Sequence, residues 1–111
     1  MKVCVLEHFD SMHLLPGHPK CGVPHGHTYR VEVVVEGPVQ RGMVVDFDAL
    51  KSALREILKT FDHTDLNKLL EFPSCENLAT EIHKRLKARF ADKKLAVRIW
   101  EGDGKWAEYE G

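Results

Sequence analysis

His25-Gly26-His27 is the sharpest chemical feature of the chain. Residues two apart in an extended strand project from the same face. Both imidazoles therefore meet one side, and Gly26 between them has no side chain to obstruct a close approach. His13, across the preceding loop, is the natural third ligand for a metal ion. His18 competes for that place, although Pro16, Gly17 and Pro19 around it read as a loop tip. Three neutral imidazoles leave one tetrahedral position of zinc open, which is the arrangement of a catalytic rather than a structural site. The plain alternative is a chance HxH, or a polar strand end.

Cys21 lies four residues before His25. A thiol beside a divalent metal and imidazoles can be drawn into its thiolate form and serve as base or nucleophile. It can equally be a small buried residue, or a fourth zinc ligand that closes the site. Asp62-His63 is a second constellation, because a carboxylate can orient an imidazole and stabilise its protonated form. Glu101 ends the otherwise apolar face Leu95, Val97, Ile99, either where a strand leaves the core or as an anchor at a pocket rim. Trp100 and Trp106 offer stacking surfaces but read as packing residues. Cys4 and Cys75 also read as packing residues, and His8 and His83 as solvated or locally hydrogen-bonded.

These side chains need a scaffold, and the patterning supplies one. Lys2 to Phe9 is β-prone, and a His-, Pro- and Gly-rich loop follows from Leu14 to Pro24. His25 to Glu36 alternates, with Tyr29, Val31, Val33 and Val35 on one face. His25 and His27 share that parity, at the entrance of the core-facing row. Gly37 to Gly42 reads as a turn, and Met43 to Asp46 as the start of a partner strand. Asp46 or Asp48 caps a helix bearing Leu50, Leu54, Ile57 and Leu58. Ser74 caps a second helix with Leu78, Ile82 and Leu86 on one stripe and Glu76 in its first turn. Leu95 to Glu101 alternates again, Asp103-Gly104 signals a tight hairpin, and Lys105 to Glu110 forms a last strand. The order β-β-α-α-β-β predicts an α+β fold, an antiparallel sheet with two helices on one face. Its open sheet edges invite oligomerisation.

The 111 residues fit one domain, spanning 1–111, and can bury roughly two thirds of the unfolded chain's surface. Sixteen Lys and Arg against seventeen Asp and Glu leave a net charge of −1, which offers no field for nucleic acid. No apolar run approaches the roughly 20 residues of a membrane span, and Glu7 and His8 interrupt any signal-type segment. Three cysteines without CxxC spacing suggest neither a disulfide framework nor a Cys-only zinc site, so a cytoplasmic setting is expected.

Several segments in order extend the argument: Phe9-Asp10-Ser11-Met12-His13, Cys21-Gly22-Val23-Pro24-His25-Gly26-His27-Thr28-Tyr29, and Gly42-Met43-Val44-Val45-Asp46-Phe47. Asp62-His63-Thr64-Asp65-Leu66-Asn67, Pro73-Ser74-Cys75-Glu76-Asn77-Leu78-Ala79 and Trp100-Glu101 complete the series. Together they resemble the 6-pyruvoyltetrahydropterin synthase / 6-carboxytetrahydropterin synthase family. The resemblance implies a tunnelling fold (T-fold) whose subunits join their sheets into a barrel, a homohexamer built as a dimer of trimers with active sites between subunits. It implies that His13, His25 and His27 bind Zn2+ and that Cys21 is the catalytic base. His63, supported by Asp62, is expected to transfer protons from a neighbouring subunit. Glu101 is expected to anchor the pterin, with Glu76 and Ser74 nearby. Ser74 stands where Thr is usual, the loop Leu14 to Lys20 carries a further His and two Pro, and the tail after Glu101 is short.

The activity so implied is that of a zinc-dependent carbon–carbon lyase. It converts 7,8-dihydroneopterin triphosphate to 6-carboxy-5,6,7,8-tetrahydropterin, acetaldehyde and triphosphate, toward 7-deazaguanine (queuosine) biosynthesis. The compact chain favours this branch. The alternatives within the family are 6-pyruvoyltetrahydropterin synthesis by triphosphate elimination and an aldolase acting on dihydroneopterin. From other classes come a cupin-like metalloenzyme, which leaves the central helix pair unexplained, and a non-catalytic zinc-stabilised assembly module with Cys21 as fourth ligand.

Overall fold

The computed structural model describes Met1–Gly111. Strands β1 (Lys2–His13) and β2 (His25–Glu36) come first, followed by helix α1 (Phe47–Leu58), a single 3₁₀ turn (Leu66–Lys68) and helix α2 (Cys75–Arg89). Strands β3 (Lys94–Glu101) and β4 (Trp106–Tyr109) complete the chain. The four strands form one antiparallel sheet in the order β1-β2-β3-β4. This is the α+β, β-β-α-α-β-β arrangement that the alternation of apolar residues predicts.

The odd-numbered face of β2 carries the core. Tyr29, Val31, Val33 and Val35 are fully buried, opposite Val5 and Phe9 of β1 and beside Leu95, Val97 and Ile99 of β3. The rings of Phe9 and Tyr29, paired across the two strands, stack 4.8 Å apart. Both helices cover this one face. α1 presents Leu50, Leu54, Ile57 and Leu58 toward it, and α2 presents Leu78, Ile82 and Leu86. Each helix begins at an oxygen-bearing cap, as the sequence suggests. Asp46 accepts the N–H of Asp48, and Ser74 accepts the N–H of Asn77.

The opposite sheet face is polar. There the Arg30 guanidinium lies over the Trp100 ring at 4.1 Å and that of Arg98 over Trp106 at 3.9 Å. The indole N–H of Trp100 donates to Glu32 at 3.2 Å. Both tryptophans are thus packing residues engaged by their own chain.

Two local expectations change. Met43 to Asp46 does not form a strand: only an isolated bridge joins Met43 to Gln40 across the turn at Arg41 and Gly42. β2 already has β1 on one edge and β3 on the other, so a further partner has no edge to join. The first strand also runs past Phe9 to His13. Asp10, Ser11 and Met12 lack strand-like character alone, yet they pair with Gly26 to Thr28 of β2. The segment after α1 supports them from the other side, where the Met12 N–H donates to the Thr64 carbonyl at 3.0 Å. His13 is therefore a strand residue facing His25 directly across the sheet.

Candidate active site

The end of β1 and the start of β2 deliver three imidazoles to one point. Register pairs His13 with His25, and the period of two places His27 on the same face. The ring centroids lie 4.6 Å apart for His13 and His25, 4.7 Å for His25 and His27, and 5.1 Å for His13 and His27. One ligand nitrogen from each lies within 4.8 Å of the other two.

The outer nitrogens settle which atoms face inward. His13 Nδ1 donates to the Pro73 carbonyl at 2.8 Å, and His25 Nδ1 donates to the Val23 carbonyl at 2.7 Å. A carbonyl can only accept, so in the neutral rings each proton sits on Nδ1 and each Nε2 presents a lone pair. Those two Nε2 atoms stand 3.0 Å apart. His27 Nε2 is buried without a hydrogen-bond partner. Burial, followed by the neighbouring His13 and His25, holds the His27 imidazole below its ordinary pKa against the pull of Glu101. Facing lone pairs and an orphaned buried nitrogen make the donor set of a cation. Three imidazoles oriented by backbone carbonyls fit a divalent metal such as zinc.

Glu101, at the end of β3 and paired in register with Tyr29, borders this cluster. Its Oε1 lies 3.4 Å from His27 Nε2 and 3.3 Å from Lys105 Nζ, and its Oε2 lies 3.9 Å from His13 Nε2. Burial works to raise the Glu101 carboxyl, but His27 and Lys105 hold it below the usual range. The Cys75 thiol, at the first turn of α2, donates to Glu101 Oε2 at 3.6 Å. Burial first, then the Glu101 charge, pushes that thiol up to about 12. It is a hydrogen-bond donor here and no nucleophile.

Cys21 opens onto the same cleft, about 640 Å³ in volume, together with His25, His27, Glu101 and Lys105. Its sulfur is not part of the ligand cluster. That separates it from the arrangement in which a fourth protein ligand closes the metal site. His18 lines this cleft too, but its ring nitrogen is engaged with the backbone of its own loop.

Asp62 and His63 do touch: His63 Nδ1 lies 2.9 Å from Asp62 Oδ1. The hydrogen bond to Asp62 raises the His63 pKa. The Asp10 N–H, donating to Asp62 Oδ1 at 2.9 Å, lowers the carboxyl. His63 adopts a left-handed backbone (φ 52°), unusual for a residue with a Cβ, and its N–H donates to the Asp10 carbonyl at 2.6 Å. His63 opens onto a different cleft, lined by Asp10, Met12, Gly26 and Lys68. Gly26 is the one residue common to both clefts. Within one chain, then, His25, His27, Glu101 and Cys21 share a cleft with His13 buried against His25 behind it, and Asp62 and His63 do not join them.

Ser74 Oγ accepts the Asn77 N–H as the cap of α2, and Glu76 stands exposed in the first turn. Between them is Cys75, which packs against the core as the sequence presents it and also donates to Glu101. Its only sequence signal is a position at the helix start. The Glu101–Lys105 pair, four residues apart around the hairpin, was legible only as spacing.

Comparisons with known proteins agree on one kinship. A family model described as 6-pyruvoyl tetrahydropterin synthase matches residues 2–111. An Archaeoglobus fulgidus protein named "Putative 6-carboxy-5,6,7,8-tetrahydropterin synthase" is 44% identical over 104 residues, covering 90% of this chain and 87% of that protein. A Pyrococcus furiosus protein named dihydroneopterin monophosphate aldolase is 41% identical over 88 residues, covering 78% of this chain and 77% of the relative. The solved structure of Caenorhabditis elegans 6-pyruvoyl tetrahydropterin synthase superposes with a TM-score of 0.90 at 26% identity, covering 100% of this chain and 95% of that one.

Proposed function

Since the chain belongs to the 6-pyruvoyl tetrahydropterin synthase family, we propose that it is a 6-carboxytetrahydropterin synthase. Its substrate is 7,8-dihydroneopterin triphosphate, and its products are 6-carboxy-5,6,7,8-tetrahydropterin, acetaldehyde and triphosphate, in 7-deazaguanine (queuosine) biosynthesis. The observation that carries this reading is the convergence of the His13, His25 and His27 ring nitrogens beside a cleft that holds a free thiol and a carboxylate. The Archaeoglobus relative's name supports this branch.

His13, His25 and His27 hold the zinc in this reading. When bound, the metal supplies Lewis acidity toward oxygens of the substrate side chain. Cys21, as thiolate, removes a carbon-bound proton from that side chain. Glu101 accepts N–H groups of the pterin edge, a charge-assisted contact that fixes the ring's register. The Cys75 S–H and the Lys105 ammonium orient that carboxylate from behind. Ser74 and Glu76 flank Cys75 at the start of α2, which puts them near the same pterin end. His63, kept protonatable by Asp62, exchanges a proton with a side-chain oxygen. Because His63 opens onto another cleft, this role assigns it to a neighbouring subunit of a homohexamer, a dimer of trimers.

A second reading has its own support. The Pyrococcus relative is named an aldolase of the monophosphate, so side-chain cleavage without ring reduction is the nearest rival. Incubating zinc-loaded protein separately with dihydroneopterin triphosphate and monophosphate, and identifying products by mass, separates the readings. Acetaldehyde and the carboxy product from the triphosphate are expected. Cleavage of the monophosphate alone, or a pyruvoyl product, overturns the assignment.

A further inference from the structure

We propose that His18 is a positioning residue for Cys21. Its unprotonated Nδ1 accepts the backbone N–H groups of Cys21 at 2.8 Å and of Lys20 at 3.1 Å, and so fixes the loop that carries the thiol. The inference rests on the reading of Cys21 as the reacting thiol.

A backbone N–H can only donate, so the Nδ1 that receives two of them carries a lone pair. The neutral ring then keeps its proton on Nε2. The same residue also ties the loop through its main chain. His18 N–H donates to the Leu15 carbonyl at 3.0 Å, and the His18 carbonyl accepts the Gly22 N–H at 3.0 Å. The Leu15 N–H closes the loop onto the Cys21 carbonyl at 2.7 Å. Independent evidence of tight construction comes from Gly22, where an added Cβ would stand 2.5 Å from the His18 carbonyl oxygen. Pro16, Gly17 with its positive φ of 81°, and Pro19 bend the chain around the ring. Cys21 is thus held on both sides of its peptide plane, four residues before His25.

The hold on Cys21 needs the lone pair on His18 Nδ1 that receives the two backbone N–H groups. The charged and titratable groups that share the cleft with it are Lys20 and Cys21 from its own loop, His25 and His27 from β2, and Glu101 and Lys105 from the β3–β4 hairpin.

The test uses the zinc-loaded full chain with His18→Ala, His18→Asn and His18→Gln. The Asn side-chain oxygen takes the place of Nδ1, whereas Gln reaches further and misses it. Amide hydrogen exchange reads the contact directly. Protection of the Cys21 N–H, relative to Val33 in β2, is expected to fall about tenfold in the Ala and Gln variants and to remain within about threefold of wild type in His18→Asn. With dihydroneopterin triphosphate, kcat is expected to follow the same order, falling about tenfold, while KM stays within about twofold and zinc content is unchanged. Undiminished Cys21 protection in His18→Ala, or an Asn variant no better than Ala, overturns the proposal. A fully active Cys21→Ala enzyme overturns its premise instead, and the exchange data identify that as the failure of the thiol's role rather than of His18's hold on the loop.

Discussion

Removing and restoring the metal gives the most direct measurement of the histidine cluster. The Nε2 atoms of His13 and His25 face each other at 3.0 Å, and His27 Nε2 is buried without a hydrogen-bond partner. A cation that takes all three binds the native state and not the unfolded one. At a free zinc concentration about one hundred times the dissociation constant, mass action adds about 2.7 kcal/mol to folding stability. An unfolding entropy of about 2.1 cal/mol/K per residue, over the 111 residues of the chain, converts this to a rise of about 12 °C in Tm. The assay is thermal unfolding of chelator-treated protein by circular dichroism, with zinc added back under buffered free-metal conditions. His25→Ala and His27→Ala serve as controls because both positions are half-buried, whereas His13 is fully buried and its loss also strands the Pro73 carbonyl. Each control is expected to reduce the rise to about 2 °C or less at the same zinc concentration. A wild-type shift below that level, or an undiminished shift in His27→Ala, refutes the three-imidazole site.

Cys21→Ala is expected to retain stoichiometric zinc by metal analysis while losing most turnover; a fully active variant removes Cys21 from the chemistry. His63→Ala is expected to be equally inactive, and subunits of the two variants, mixed and reassembled, to recover part of the activity. Mixtures as inactive as their parents contradict a site shared between chains. Asp62→Asn is expected to lower the His63 titration midpoint, followed by NMR, toward the ordinary imidazole value. Because the folded-state pKa is raised, the pair's stabilising contribution is complete below the ordinary value and is lost as pH rises through the raised one. Ser74→Ala removes the cap that receives the Asn77 N–H and is expected to cost about 1 kcal/mol in denaturant unfolding. If KM for the pterin rises as well, Ser74 acts on substrate in addition to the helix.

His25 and His27 were legible because strand alternation is local: the parity that buries Tyr29 and Val31 also orients the two imidazoles. The helix caps at Asp46 and Ser74 were legible for the same reason, since a cap needs only an oxygen two or three residues before the N–H it accepts. Contacts between distant segments were not. The pairing of Asp10–His13 with His25–Thr28 and with Thr64 makes a strand of residues whose own preferences are polar and irregular. Cys75 meets Glu101 across 26 positions, and nothing in either local pattern announces it. His18 read as a loop-tip alternative to His13, because its hydrogen bonds depend on how Pro16 to Gly22 folds back. Met43 to Asp46 failed for the opposite reason. Its β propensity is real, but the edges of β2 were already taken.

The two clefts explain why so small a chain is organised around its sheet edges. Metal-ligand geometry requires the three imidazoles to share the helix-covered face, and the alternation of β2 then turns Gly26 toward the other side. The backbone at Gly26 stands where the two clefts meet, so a substrate seated on the histidines is separated from the His63 of its own chain. Lengthening a loop to carry His63 across would break the hydrogen bonds of Met12, Ser11 and Asp10 that brace the end of β1. Those same bonds hold His13 against His25. In the proposed homo-oligomer, association would resolve the conflict without disturbing either cleft, because β4 leaves one edge of the sheet unpaired and the Lys2 side of β1 leaves the other. On the proposed reading, the edges that a lone subunit exposes and the distance of His63 from the histidine cluster of its own chain would be answered by one and the same contact.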